Sequence, residues 1–128
     1  MKKIIKTKPI EKIVLEFENT NDNVELLYNN FAFATLDEEF ENGSISILLN
    51  SFKKPYGEGW KVIYAGMKAI DNSVTHQKAK NIISSIEYMD IVEILEKVLS
   101  FFGGEENEKK QKEVSQKDIQ RVLKMLNI

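Results

Sequence analysis

Cysteine is absent from this 128-residue chain, and histidine and arginine occur once each, as His76 and Arg121. No disulfide, thiolate nucleophile or cysteine metal site can form, and a cytoplasmic protein is the default expectation. Zinc draws on His and Cys, so one histidine and no cysteine leave it without a ligand set. A hydrolase triad would have His76 as its only base, and no G-x-S-x-G elbow accompanies it. Glycine is too sparse for a phosphate loop: "GEGW" falls short of G-x-x-x-x-G-K-[ST], and no G-x-G-x-x-G follows a strand. Long apolar runs are missing as well. Lys6, Lys8, Glu11 and Lys12 interrupt the N-terminal segment, so no signal-peptide core forms, and nothing approaches the ~20 apolar residues of a membrane span. Carboxylates are plentiful. However, "NTNDN" (19–23) lacks the length and terminal glutamate of an EF-hand loop, and Glu38, Glu39 and Glu41 crowd together in sequence. No enzyme, cofactor or metal site is expected.

What is present is enough for one ordinary domain. Apolar residues make up 42% and charged residues 30%, with a net charge of -2. A slightly acidic chain lacks the net basic surface that broad nucleic-acid binding needs.

"KIVLEFE" (12–18) alternates and reads as a strand; "NTNDN" is a turn signal; "VELLY" (24–28) returns as a second strand. A helix starting at Glu25 is the rival reading. "NNFAFATLDEEFENG" (29–43) reads as a helix capped by Asn30, with Phe33, Leu36 and Phe40 at helical spacing and Gly43 as its left-handed stop. Ser44 then caps a short helix whose core face is Ile45, Leu48, Leu49 and Phe52. "KKPYGEG" (53–59) is a loop. Trp60, Ile63, Tyr64 and Met67 form the next apolar stripe, which "DNSVT" (71–75) breaks. Gly66 sits inside that stripe, best explained by close helix packing beside Tyr64 and Met67. Ser73 or Thr75 caps a further helix with Ala79, Ile82, Ile83 and Ile86. His76 then reads as an exposed first-turn residue, incidental to function. A last core helix begins near Asp90 with Ile91, Ile94, Leu95, Val98, Leu99 and Phe102, and Gly103 and Gly104 stop it.

The expected class is α+β, mainly α. An N-terminal β-hairpin precedes a bundle of about five short helices and a tethered C-terminal helix. Residues 1–104 form the globular domain. Residues 105–114 are a charged linker, since 105–113 contain no apolar residue and cannot bury surface. Residues 115–128 form a short amphipathic helix whose edge is Ile119, Val122, Leu123 and Leu126. That edge either docks on the chain's own core or binds a partner.

Charge is uneven. Residues 13–52 carry eight acids and no Lys or Arg, whereas 53–80 carry six lysines against two acids. This means either two solvated faces that attract one another or an acidic docking surface. The helices flanking "DNSVT" also admit a helix-turn-helix reading over 60–86, with His76, Gln77, Lys78 and Lys80 as groove residues of a small phage or plasmid regulator.

Taken in order, the segments resemble the tail assembly chaperones of long-tailed bacteriophages and prophages of Gram-positive hosts. Four stretches carry the resemblance over residues 10–104: "IVLEFENTNDNVELLY", "NNFAFATLDEEFENG", "VIYAGMKAIDNSVTHQKA" and "IVEILEKVLSFFGG". Two features depart from the family pattern. His76, Gln77 and Lys78 follow Thr75 where the family tends to place acids, and the lysine-rich extension before Ile10 has no counterpart. The resemblance implies a non-enzymatic role in the host cytoplasm. The protein would bind the tape measure protein, keep it soluble while tail tube subunits polymerise around it, and be absent from the finished virion. The tail tube protein is a second candidate partner, and a homo-oligomer is also open to it.

Overall fold

The computed structural model of the protein describes residues 2–7, 9–18 and 20–103. Two strands, β1 (Lys12–Glu16) and β2 (Asn23–Leu27), pair antiparallel. Among the described residues five helices follow: α1 (Asn30–Glu39), α2 (Gly43–Lys53), α3 (Gly59–Lys68), α4 (His76–Ile83) and α5 (Tyr88–Gly103). The class is α+β and mainly α, as the sequence pattern implies. No helix among the described residues is long and apolar enough to cross a membrane.

The hairpin follows from alternation. Ile13 pairs with Leu26 and Leu15 with Val24, so one face collects the apolar side chains; Val14 pairs with Glu25 on the other. That outer face carries the Lys12–Glu25 ion pair at 3.4 Å. The inner face lies on α3. The strand reading of "VELLY" therefore prevails over the helical one, because period-two burial puts Leu26 and Tyr28 into the core together.

Three helix ends differ in detail from the sequence reading. Asn29, not Asn30, caps α1: its side chain accepts the Ala32 N–H at 3.0 Å. The helix ends at Glu39, and Gly43 opens α2 instead of closing α1. Asn42 and Gly43 are both left-handed, at φ 81°, and together they turn the chain between the helices. Ser44 does not cap α2 with its hydroxyl; its N–H instead donates to Asp37 Oδ1 of α1 at 2.6 Å. The cap thus comes from the preceding helix, which no local pattern encodes. At α4 the cap is Thr75, accepting the Lys78 N–H at 3.1 Å. Asp71 organises the break before it by accepting from the Ser73 N–H and hydroxyl. These bonds hold the Asp71 carboxyl below its usual range. α5 begins at Tyr88, with Asp90 in the first turn where the helix dipole favours an acid.

α2 also turns a different face inward. Leu48 and Leu49 are buried and Phe52 is half-buried, but Ile45 is 59% exposed. The buried row is Ser44, Ile47, Leu48 and Ser51. Ser51 meets its hydrogen-bonding need within the helix by donating to the Ile47 carbonyl at 2.7 Å. A small serine that bonds its own helix, as Ser51 does, can face a core that a hydrophobicity count would deny it.

The core centres on α3, which touches β2, α1, α2, α4 and α5. Every residue from Val62 to Met67 is buried, so the expected stripe is only part of a helix covered on nearly all sides. Gly66 is tight, against a partner the sequence did not name. A Cβ there would lie 2.7 Å from Cζ and the hydroxyl oxygen of Tyr28. Tyr28 follows β2 directly and is 2% exposed; its hydroxyl donates to the Val62 carbonyl at 2.9 Å. Burial pushes that hydroxyl's pKa well above its ordinary value, so it stays a neutral donor. Ile91, Ile94, Leu95 and Val98 of α5 complete the core. The Phe102 side chain, Gly104, the linker at 105–114 and the C-terminal helix at 115–128 lie outside the described residues.

Gly66→Ala should therefore destabilise the protein, although alanine favours a helix interior by about 1 kcal/mol. The clash with a ring locked on both sides should outweigh that gain and leave a net loss of roughly 1–3 kcal/mol in chemical denaturation. Tyr28→Phe should cost about 1 kcal/mol, the value of one buried hydrogen bond.

Candidate functional site

The polar side chains gather where the end of α1, the outer side of α3 and the start of α4 meet. On α3, Trp60, Tyr64 and Lys68 stand four residues apart and form one row along the helix. α1 delivers Glu39 and Phe40 to this row. The Thr75 cap fixes where α4 begins and so places His76 against it.

His76 occupies the first turn of α4 with its side chain 48% exposed, as the sequence reading has it. It is not isolated there. Its ring meets Tyr64 edge-on at 4.5 Å, Trp60 at 5.3 Å and Phe40 at 5.5 Å between centroids. Phe40 meets Trp60 and Tyr64 edge-on as well, at 5.5 and 6.0 Å. Such tilted and edge contacts suit the ring quadrupoles. Lysines lean on three of the rings: Lys80 over Trp60 at 4.6 Å, Lys61 over Phe40 at 5.5 Å and Lys68 over Tyr64 at 5.6 Å.

Glu39 is the anionic centre of the cluster. It accepts from Lys68 Nζ at 2.5 Å and from the Tyr64 hydroxyl at 2.8 Å, and its other approach is His76 Nε2 at 3.7 Å. Desolvation pushes its carboxyl upward, but the bonds from Lys68 and Tyr64 together outweigh this and hold it below the usual range. The Glu39 bond raises Lys68. Burial raises Tyr64, reinforced by its bond to Glu39. The bonds thus favour the ionised carboxylate and the charged ammonium. Among the described residues no group of three His, Asp or Glu side chains is placed to hold a metal ion. An open depression at the hairpin tip, lined by Glu16, Phe17, Glu18, Thr20, Asn21 and Asn23, shares no residue with the cluster. The arrangement fastens three helices; Tyr64 is buried within it, Phe40 and Trp60 are partly buried, and His76 and Lys80 are exposed at its rim.

No protein-family model, characterised protein or solved structure matches the chain.

The partner-binding residues expected from sequence, Ile119, Val122, Leu123 and Leu126, lie outside the described residues. Trp60 and Tyr64 belong to the apolar stripe by their spacing, and in the fold they share a corner with Glu39, Phe40, Lys68 and His76. The available signal was the i, i+4, i+8 spacing of Trp60, Tyr64 and Lys68. Nothing in the sequence pointed from that row to Glu39. The notion of oppositely charged regions attracting one another holds at this point, through Glu39–Lys68.

Glu39 supplies a pH dependence. Its folded pKa lies below the ordinary 4.5, so its contribution is fully present above that value and is lost as pH falls through the lower folded one. Thermal unfolding from pH 7 down to the acid range should show a stability loss beginning below the ordinary value. Glu39→Gln should flatten that part of the profile and lower neutral-pH stability by roughly 1 kcal/mol, since the pair is partly exposed.

Proposed function

We propose that this protein is a phage tail assembly chaperone, a non-enzymatic binder that keeps the tape measure protein soluble in the host cytoplasm while the tail tube forms around it. The observation that carries the reading is the order of elements. The four stretches that resemble the family fold in succession as the β1–β2 hairpin, α1 with its acidic-aromatic-glycine exit, α3 with the break and the Thr75-capped α4, and α5. The charged C-terminal residues follow directly in sequence.

The chemistry of the α1–α3–α4 corner is compatible with this role. A chaperone of an extended helical client needs soluble helices and an apolar groove or edge for an amphipathic client helix, and no reacting group. The regulator reading, with α3 and α4 as a helix-turn-helix, ranks second. Of its four groove candidates, His76 and Lys80 lie against the Trp60 ring, and Gln77 donates to Asn81 on its own helix at 2.9 Å. Side chains reading a major groove need to extend from the helix start toward base edges.

The test is co-expression with a helical fragment of the tape measure protein from the same genome. The fragment should be soluble with this chain and pelleted without it; equal precipitation in both cases overturns the proposal. Salt-sensitive retention on duplex DNA, which the chaperone reading does not predict, would favour the regulator.

A further inference from the structure

The N-terminal arm stands apart from the fold. Residues 2–7 and 9–11 are exposed and belong to no strand or helix. Ile4 is 75% exposed, Ile5 71% and Ile10 53%, and none of them is in the core or packed against it. Single exposed apolar residues are ordinary, but three on one short segment make a sticky strip. The strip is basic, with Lys2, Lys3, Lys6 and Lys8 against Glu11.

The same chain carries a surface of matching character. Phe31, 49% exposed, and Glu38 lie seven residues apart on one outward face of α1. Asp37 and Glu38 are exposed at the end of that helix, and Glu41 is exposed just beyond it. Ile45, 59% exposed, follows Ser44, whose N–H is tied to Asp37. Among the described residues neither Glu38 nor Glu41 pairs with a cation. The end of α1 thus carries acids and exposed apolar side chains, and the arm carries lysines and exposed isoleucines.

We infer that the N-terminal arm of one copy docks on the acidic end of α1 in a second copy, with Lys2, Lys3 and Lys6 against Asp37, Glu38 and Glu41, and Ile4 and Ile5 against Ile45 and Phe31. The arm leads into β1, whose hairpin is fixed on α3, and among the described residues its isoleucines make no such contact with their own core. Reciprocal exchange of two arms satisfies both surfaces and closes a two-fold dimer. Both complementary parts belong to one polypeptide, so no foreign partner is required. The attraction is between exposed charges and weakens with salt. This inference is independent of the chaperone reading.

Sedimentation of the full chain over a concentration series, at about 0.05 M and about 0.5 M salt, tests it, since the screening length shrinks several-fold across that range. A monomer–dimer equilibrium is expected at low salt and a shift toward monomer at high salt. Deleting residues 2–10, whose described members lie outside the core, should raise the dimer dissociation constant by about tenfold or more with an unchanged circular dichroism spectrum. Glu38→Lys with Glu41→Lys should do the same, and adding Lys3→Glu with Lys6→Glu should restore association. A chain that stays monomeric at low salt overturns the inference. So does a dimer that survives arm deletion, or charge reversals that fail to compensate one another.

Discussion

The approach of Tyr28 to Gly66 is the contact on which the rest of the structure depends. α3 must touch the hairpin on one side and four helices on the others, so its own side chains have to leave room for all of them. At residue 66 the room is taken by the Tyr28 ring, whose carbon and oxygen would lie 2.7 Å from any Cβ. Glycine weakens a helix in isolation. Here it lets the hairpin close on the helix, and the Tyr28 hydroxyl locks the approach by donating to the Val62 carbonyl. The ring also meets Phe33 of α1 and Phe101 of α5, each at 6.3 Å. One tyrosine therefore joins the hairpin to the first, third and last of the described helices.

The opposite side of α3 is held by a different kind of contact. There Trp60, Tyr64 and Lys68 meet Glu39, Phe40 and His76, and the interactions are aromatic, cationic and anionic together. Only Glu39 joins the acidic first half of the chain to the lysines of the second half among the ion pairs described. Asp37, two residues earlier, serves α2 by accepting from Ser44. The remaining acids at the end of α1 face solvent, which leaves that end of the fold available to a basic partner segment.

The elements themselves were legible in the sequence because their signals are local. Alternation in "KIVLEFE" and the Asn- and Asp-rich turn mark the hairpin, and Thr75 marks the start of α4 by the capping chemistry of a single side chain. The misreadings have a common cause. The helical stripe of leucine and isoleucine places Ile45 inside, yet Ser44 and Ser51 are buried in its place. Gly43 reads as the end of α1, yet it opens α2, because consecutive left-handed residues turn the chain there and Asp37 reaches across from the preceding helix. Each depends on which neighbour arrives, which periodicity along one segment does not record.

The sequence alone determined the class, the succession of strands and helices, and the absence of cysteine chemistry, because hydrophobic period, turn residues and composition act within a few positions of one another. Tertiary structure decided that His76 sits among three aromatic rings and not by itself, that Glu39 is held ionised between Lys68 and Tyr64, and that Gly66 serves Tyr28. Those partners lie between 12 and 38 positions apart in the chain. Only packing of α1, the hairpin and α4 around one central helix brings them within contact distance.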